Sequence, residues 1–411
     1  MGRHGRFHEP FLCGGDGVKI LVALSRFPWP LEKGDKLRAY YQLQGLARSH
    51  EVHLVCLNDR AIHPDHLKKL SFCQSVQIVV LPKWRSLLNL LGGLFDKRPF
   101  QVHYFRSSKF KQLLSHQIQT LGAEALYVQL IRMGLNLPEG QHPGRYLDYM
   151  DTFSIGMENR AKHGNFITRT LARLEAKRLK SYEAELASHF QGWSVISDRD
   201  LAALPDNIRN HTDVIPNGVG EYFFEDIPKP ERKYDLVFFG NLGYQPNVES
   251  AKFLMESILP VLRSRGRNLR VCLAGARPAG SILKYQSEWV QVTGFVEDIR
   301  VPVLQSRIAV APVVGGQGLQ NKLLESMALG VPTITTPLAH AGLVTSHEEE
   351  LLVCNTPAQF ADAIERLLDN PVLAETIGAK GRKFVEQNYR WDTMNKRLET
   401  GLLRVARGLT T

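Results

Sequence analysis

The chain has 411 residues, 44% of them hydrophobic, which suffices for two domains of ordinary size with real cores. Its formal net charge of +10 favours acidic partners, such as nucleotides, anionic lipid surfaces or nucleic acid, and by itself selects none of them. Five scattered cysteines (Cys13, Cys56, Cys73, Cys272 and Cys354) without a CxxC pair argue against a zinc site or disulfide framework and fit a reducing compartment, and no apolar run is long enough to span a bilayer.

Residues 1–17 hold no apolar core of signal-peptide length and read as a disordered lead-in to a first domain over 18–216. Val18 to Leu24 is continuously apolar, as a strand buried on both faces should be. A proline-containing loop to Gly34 follows, then Asp35 as expected N-cap of a helix carrying Arg38 and Leu43, then a strand over Glu51–Leu57. The backbone at Gly34 is expected to approach a ligand, with Asp35 and Arg38 near the same rim. The glycines at 14, 15 and 17 precede the strand, whereas phosphate-binding glycines of a dinucleotide fold follow it.

Further strands are expected at Val76–Leu81, Ala125–Leu130 and Arg145–Tyr149. Lys83 to Arg98 sets Trp84, Leu87, Leu88, Leu91, Leu94 and Phe95 at helical spacing, with Lys83, Arg85, Lys97 and Arg98 at the ends. The pattern suits a helix lying in the headgroups of an anionic membrane, or an amphipathic helix packed on the sheet. Asp148 and Asp151, at a strand end, read equally as an acid/base pair and as a pair capping the following turn; a metal pair lacks a third ligand. A long helix over Phe166–Phe190 and strands over Trp193–Ser197 and Thr212–Pro216 complete the domain. No basic–aromatic platform for nucleic acid stands out.

The segment 217–233, with an Asn-Gly turn and two prolines, reads as a hinge. A second domain over 234–388 repeats the alternation: strand Leu236–Phe239, helix Val248–Arg265, strands Leu269–Ala274 and Val290–Val292, and a short helix from Asp298. The repeated alternation predicts an α/β protein with two doubly wound, mostly parallel sheets. Arg307 to Val313 is then a strand, followed by Gly315, Gly316 and Gly318 and a short helix carrying Asn321, Lys322 and Glu325 on one face. A lysine in a first turn opposes the helix dipole unless an anion lies between it and the free N–H groups, and phosphate is the obvious anion. Glu325, one turn on, is placed to accept hydrogen bonds from vicinal hydroxyls such as those of a ribose. The other reading of Lys322 and Glu325 is a solvated surface pair. Residues 389–411 read as a final helix.

The spacing from Gln317 to Glu325, the LLESMALGVPTITT continuation and the AGL loop after it resemble the donor-site signature of family 4 (group 1) glycosyltransferases. KGDKLRAYYQLQGLA, LARLEAKRLKSYEAELA, VIPNGV, FFGNLGYQPNVESAKFL and TGFVEDIR extend the resemblance over nearly the whole chain, nearest to the exosortase-associated sugar transferases. The resemblance implies a GT-B fold with an acceptor-binding first domain, a donor-binding second domain, a cleft between them and a last helix crossing back. It further implies a retaining transfer of a sugar from a nucleoside diphosphate to a glycan or lipid-linked hydroxyl, with the nucleotide sugar as co-substrate and no cofactor or metal. Lys322 would meet the diphosphate and Glu325 the ribose; Gly240, Asn241, Asp298, Gly316, Gly342 and Leu343 would line the donor site. Asp151, Gln317 and Glu325 are the expected catalytic residues, and Gly34, Asp35, Arg38 and Asp148 the acceptor rim. Gln317 stands where the family has glutamate, and Asp148 to Asp151 where many members have a histidine. The alternatives are a GT-B nucleotide-sugar epimerase and a non-catalytic sugar-nucleotide or glycan-binding subunit. The expected location is cytoplasmic, peripheral on the inner face of the plasma membrane.

Overall fold

The computed structural model describes residues 17–140, 143–162, 165–228, 230–315, 320–343 and 345–409. The chain forms two compact units, one running to Pro216 and resumed from Met394, the other spanning Asn217–Thr393. Of the lead-in expected over 1–17, all but Gly17 lies outside the described residues.

The first unit is built on β1 (Lys19–Leu24), β2 (Glu51–Asn58), β3 (Ser75–Val80), β4 (Ala125–Gln129), β5 (Gly144–Met150), β6 (Gly192–Val195) and β7 (Thr212–Val214). They form one sheet in the order β3-β2-β1-β4-β5-β6-β7, parallel at every pairing. Ile20 to Leu24 are buried without interruption because helices cover both faces of a parallel sheet, which is why the run carries no polar alternation. Leu21, Val55, Leu126 and Leu147 meet Phe110, Leu114, Leu179 and Leu186 in the core. Strand order reverses between β1 and β4, the place where ligands bind beyond the strand ends in such sheets.

The final helix, Trp391–Ala406, belongs to this unit from Met394 onward. Met394, Leu398, Leu402 and Val405 are buried, each contributing roughly 1.5–3 kcal/mol. Polar contacts fix its register: Asn395 Nδ2 donates to Tyr41 O (3.1 Å), Glu399 meets His50 Nε2 (2.9 Å) and Arg404 meets Asp213 (2.9 Å). A Cβ at Gly144 would stand 2.2 Å from Val405 O, so β5 admits only glycine where the helix crosses it.

The second unit is built on β8 (Tyr234–Phe239), β9 (Val271–Ala274), β10 (Val290–Val292), β11 (Ser306–Ala311), β12 (Thr333–Thr335) and β13 (Leu352–Val353), in the order β10-β9-β8-β11-β12-β13 and again parallel. Leu236, Phe238, Leu273, Ile308 and Ile334 pack against Val248, Ile258, Phe360 and Ile364. Its order reverses between β8 and β11.

Three local expectations change. The helix over Gly34–Leu46 is capped at Lys33, whose backbone is extended, so Asp35 is not the cap but lies within the first turn, bound to Arg26. The helix expected from Val248 begins at Gln245 and contains a wide π turn over Leu254–Ile258 that ends two residues before Pro260, which has no N–H to continue the α-helical ladder. The helix expected from Asp298 spans Arg300–Leu304, and Asp298 accepts from Arg300 N (2.9 Å) just ahead of it.

Candidate functional site

In the second unit the helix Asn321–Ala328 starts beside the ends of β8 and β11 and is buried on nearly every face. Leu323, Leu324, Met327 and Ala328 fill the core side, which the apolar spacing predicts. Lys322 is also buried, at 9% exposure, which excludes the solvated-pair reading. Its Nζ donates to Asn247 Oδ1 (2.5 Å) and lies 5.0 Å from the centroid of the Phe238 ring. Asn247 Nδ2 in turn donates to Asn241 O (3.0 Å).

Glycine makes this approach possible. Gly240 has φ +140°, and a Cβ there would stand 3.0 Å from Asn247 Nδ2 and 3.7 Å from Lys322 Cε. Gly275, at the end of β9 with φ +143°, lies so close that its Cβ would be 1.7 Å from Gly240 O. The structure thus gathers Gly240, Asn241, Asn247 and Lys322 at the switch point of the sheet.

The electrostatics are those of a cation awaiting an anion. Burial pushes the Lys322 ammonium down from 10.5 to about 8, against a smaller opposing pull from Glu325. Burial likewise pushes the Glu325 carboxyl up from 4.5 to about 7, with Lys322 opposing. Lys322 forms no salt bridge among the described residues; a neutral amide is its hydrogen-bond partner. A phosphate group entering here would supply the missing counter-charge together with the N–H dipoles of the helix start.

The other expected donor residues are less tightly gathered. Asp298 is held by the Arg300 guanidinium (2.8 Å), which keeps its carboxyl below the usual range, and Arg300 also donates to Tyr222 O (2.5 Å). Gly342 and Leu343 follow a short helix, Pro337–His340; Leu343 N donates to His340 O (2.8 Å) and its side chain is buried. Among the described residues no hydrogen bond joins Asp298, Gly342 or Leu343 to Lys322. Gly316 and Gln317 lie outside the described residues.

In the first unit two rim expectations are corrected. Arg38 and Asp148 are both fully buried: Arg38 Nε and Nη2 bind Asp148 Oδ2 and Oδ1 (2.6 and 3.1 Å), and Arg38 Nη1 donates to Ile215 O (2.8 Å). Tyr127 Oη (2.9 Å), Ser194 Oγ (3.0 Å) and Met150 N (3.2 Å) also donate to the carboxylate. The pair is a core tie, with both side chains fully buried. Asp151 is partly exposed past the end of β5; burial first, then Asp200, raises its carboxyl to about 6, with Arg38 and Arg132 opposing. Gly34 is exposed, and a Cβ there would meet no atom within 4 Å, so nothing requires glycine at that position. No group of three potential metal ligands occurs among the described residues.

Sequence reasoning passed over Asn247 and Phe238. Asn247 was detectable in kind, as a polar residue in the first turn of the helix after β8; the stacking of Phe238 beneath Lys322 was not. Arg26 and Arg132, each just past a strand at the first unit's switch point, were also missed.

Residues 233–370 match the family model described as glycosyl transferases group 1. Among curated proteins the chain is similar to the capsular polysaccharide biosynthesis glycosyltransferase CapM of Staphylococcus aureus, 27% identical over 45% of this chain and 52% of that protein. The chain spans about half, or less, of the length of the curated relatives it matches. Among solved structures it resembles sucrose-phosphate synthase from Thermosynechococcus elongatus, with TM-score 0.68 and 14% identity over 95% of this chain and 100% of that one. It also resembles HepE of Anabaena in complex with UDP-glucose, with TM-score 0.60 and 13% identity over 93% and 99%. The fold is GT-B, and the group 1 family match lies within the second unit.

Proposed function

We propose that the protein is a retaining glycosyltransferase of family 4 that takes a sugar from a nucleoside diphosphate and delivers it to a hydroxyl of a glycan or lipid-linked acceptor in polysaccharide or glycoconjugate synthesis. The observation that carries the reading is Lys322, a buried cation with no salt bridge among the described residues, at the switch point of the second sheet. It would hold the diphosphate and stabilise the charge that develops on it as the glycosidic bond breaks, while Asn247 and Phe238 keep the ammonium aimed. Glu325 would accept from the ribose hydroxyls, and Gln317 would stand toward the sugar. CapM, by its name, serves capsular polysaccharide synthesis, and HepE was solved with UDP-glucose, which supports both substrate classes. The test is a panel of nucleoside diphosphate sugars offered with a membrane extract as acceptor source. Sugar incorporation into glycan or lipid from one donor is the expected result; tight donor binding with neither transfer nor hydrolysis would favour a non-catalytic subunit.

Membrane attachment through 83–98 is part of this reading. On the helix Lys83–Phe95, Trp84, Leu87, Leu88, Leu91, Leu94 and Phe95 are each more than half exposed, and Ser86 and Gly93 are its buried positions. Exposed Phe166, Ile167, Leu171 and Leu174 lie on the neighbouring helix Phe166–Ala187, joined to it where Arg178 Nη1 donates to Gly93 O (2.7 Å). An apolar face flanked by Lys83, Arg85, Lys97 and Arg98 suits the surface of an anionic bilayer. No described helix is long and apolar enough to cross a membrane. Sedimentation with anionic vesicles, reversed by salt, is expected; failure to bind them at low salt would remove this part of the proposal.

A further inference from the structure

Arg26 follows β1 and Arg132 follows β4, the two strands between which the order of the first sheet reverses. Both guanidinium carbons lie 5.5 Å from the centroid of the same ring, Phe105, so two like charges share one aromatic surface. Arg132 is additionally stacked on Phe153 at 4.6 Å.

Their neutralisation is unequal. Arg26 Nη1 is paired with Asp35 Oδ2 at 2.5 Å. Arg132 has no salt bridge among the described residues, and its hydrogen bond is Nε to Gln101 Oε1 (3.3 Å), which leaves both Nη groups uncommitted. Burial and then the charge of Arg26 hold the Arg132 guanidinium down to about 10, and Arg26 is also the largest influence lowering the Lys33 ammonium. Four cations, Arg26, Lys33, Lys36 and Arg132, therefore converge where Glu32, Asp35 and Asp151 supply the opposing charge.

The backbone that aims these groups is unusual. Leu130, the residue after β4, and Met150, the last residue of β5, are non-glycine residues at φ +70° and +57°. Such conformations cost free energy and cluster where a side chain must be presented to a ligand. Here Leu130 stands two residues before Arg132, and Met150 immediately before Asp151.

A pair of ring-stacked guanidinium groups, in a cluster whose described carboxylates number one fewer than its cations, is the arrangement that planar, bidentate oxyanions complete. We propose that Arg132 and Arg26, braced on Phe105, form an oxyanion site, and that the molecule bound by the first unit carries a phosphate or carboxylate group there. Resting on the transferase reading, this makes the acceptor anionic. Asp151, whose charge acts on Arg132, would then sense the bound group.

The test must silence the diphosphate site, so the full chain carrying Lys322→Met is titrated with glycerol 3-phosphate and with glucuronate, with glycerol and glucose as neutral controls. One anion or both should bind where the controls do not, and which one binds tells phosphate from carboxylate. Adding Arg132→Gln should weaken that binding at least tenfold with the melting temperature of the unit retained. If this variant does not fold, Arg132→Lys keeps the charge without the fork and should bind several-fold more weakly. Absence of anion binding, binding unchanged in the Arg132 variants, or equal binding of the neutral controls would overturn the site. Because no nucleotide is present, a negative result leaves the donor reading standing, and failure of nucleotide sugars to bind the unaltered protein leaves this result readable.

Discussion

Replacing Lys322 with methionine should separate stability from function. The fall of its ammonium from 10.5 to about 8 means that burying the charged form costs about 3 kcal/mol at neutral pH, at roughly 1.4 kcal/mol per unit. Methionine fills similar space over Phe238 without the charge, and the loss is the hydrogen bond to Asn247, worth about 1–2 kcal/mol. The free protein should therefore gain about 1–2 kcal/mol, read as a rise of a few degrees in the melting temperature of the second unit by calorimetry. Affinity for nucleoside diphosphates should fall roughly 10- to 100-fold, since a charge-assisted hydrogen bond contributes about 1.5–3 kcal/mol. A variant that melts earlier and binds nucleotide as before would show that Lys322 serves the core, and the reasoning would be refuted.

The same two groups set a pH profile. Glu325, raised to about 7, makes the native state bind more protons than the unfolded chain between 4.5 and 7, so stability falls as pH rises through that window; Lys322, lowered to about 8, makes it rise again between 8 and 10.5. Urea denaturation across pH should show Glu325→Gln removing the lower slope and Lys322→Met the upper one. Arg38→Met leaves Asp148 buried and unpaired and should destabilise the first unit by roughly 3–5 kcal/mol; a stable variant with lost transfer would instead return Arg38 to the rim. Gly275→Ala drives a Cβ into Gly240 O and should cost about 2 kcal/mol or more and weaken nucleotide binding, whereas an unchanged melting temperature would mean the strand ends yield easily. Leu88→Glu with Leu91→Glu should abolish vesicle binding without lowering the melting temperature, because both side chains are more than half exposed; unfolding would assign the helix to the core.

The fold was legible where local pattern decides it. Unbroken apolar runs such as Ile20–Leu24 and Leu236–Phe239 can be satisfied only by strands covered on both faces, and their alternation with helices dictates parallel crossovers. The oddity of a first-turn lysine at 322 was legible too, because the helix dipole makes it costly without an anion. What stayed hidden were pairings between distant residues. Arg38 and Asp148 are 110 positions apart, and a charged residue on a helix reads as solvated until its buried partner is known. Lys322 and Asn247 are 75 apart, so the sequence could suggest the charge but not the amide that aims it. Asp35 misled because a good capping residue stood two positions past the true cap, Lys33, where Arg26 claims it. The stripe of 83–95 was readable as amphipathic, but whether anything covers it depends on tertiary packing.

The central claim is that Lys322 is a buried cation kept for a diphosphate, and proton linkage tests it most directly. Calorimetric titration of nucleoside diphosphates at pH 9, in two buffers of different ionisation enthalpy, counts the protons that accompany binding. With the free ammonium at about 8, the account predicts uptake of close to one proton, affinity that declines as pH rises above 8, and loss of the uptake in Lys322→Met. Binding without proton uptake, or uptake that persists in the methionine variant, would contradict it.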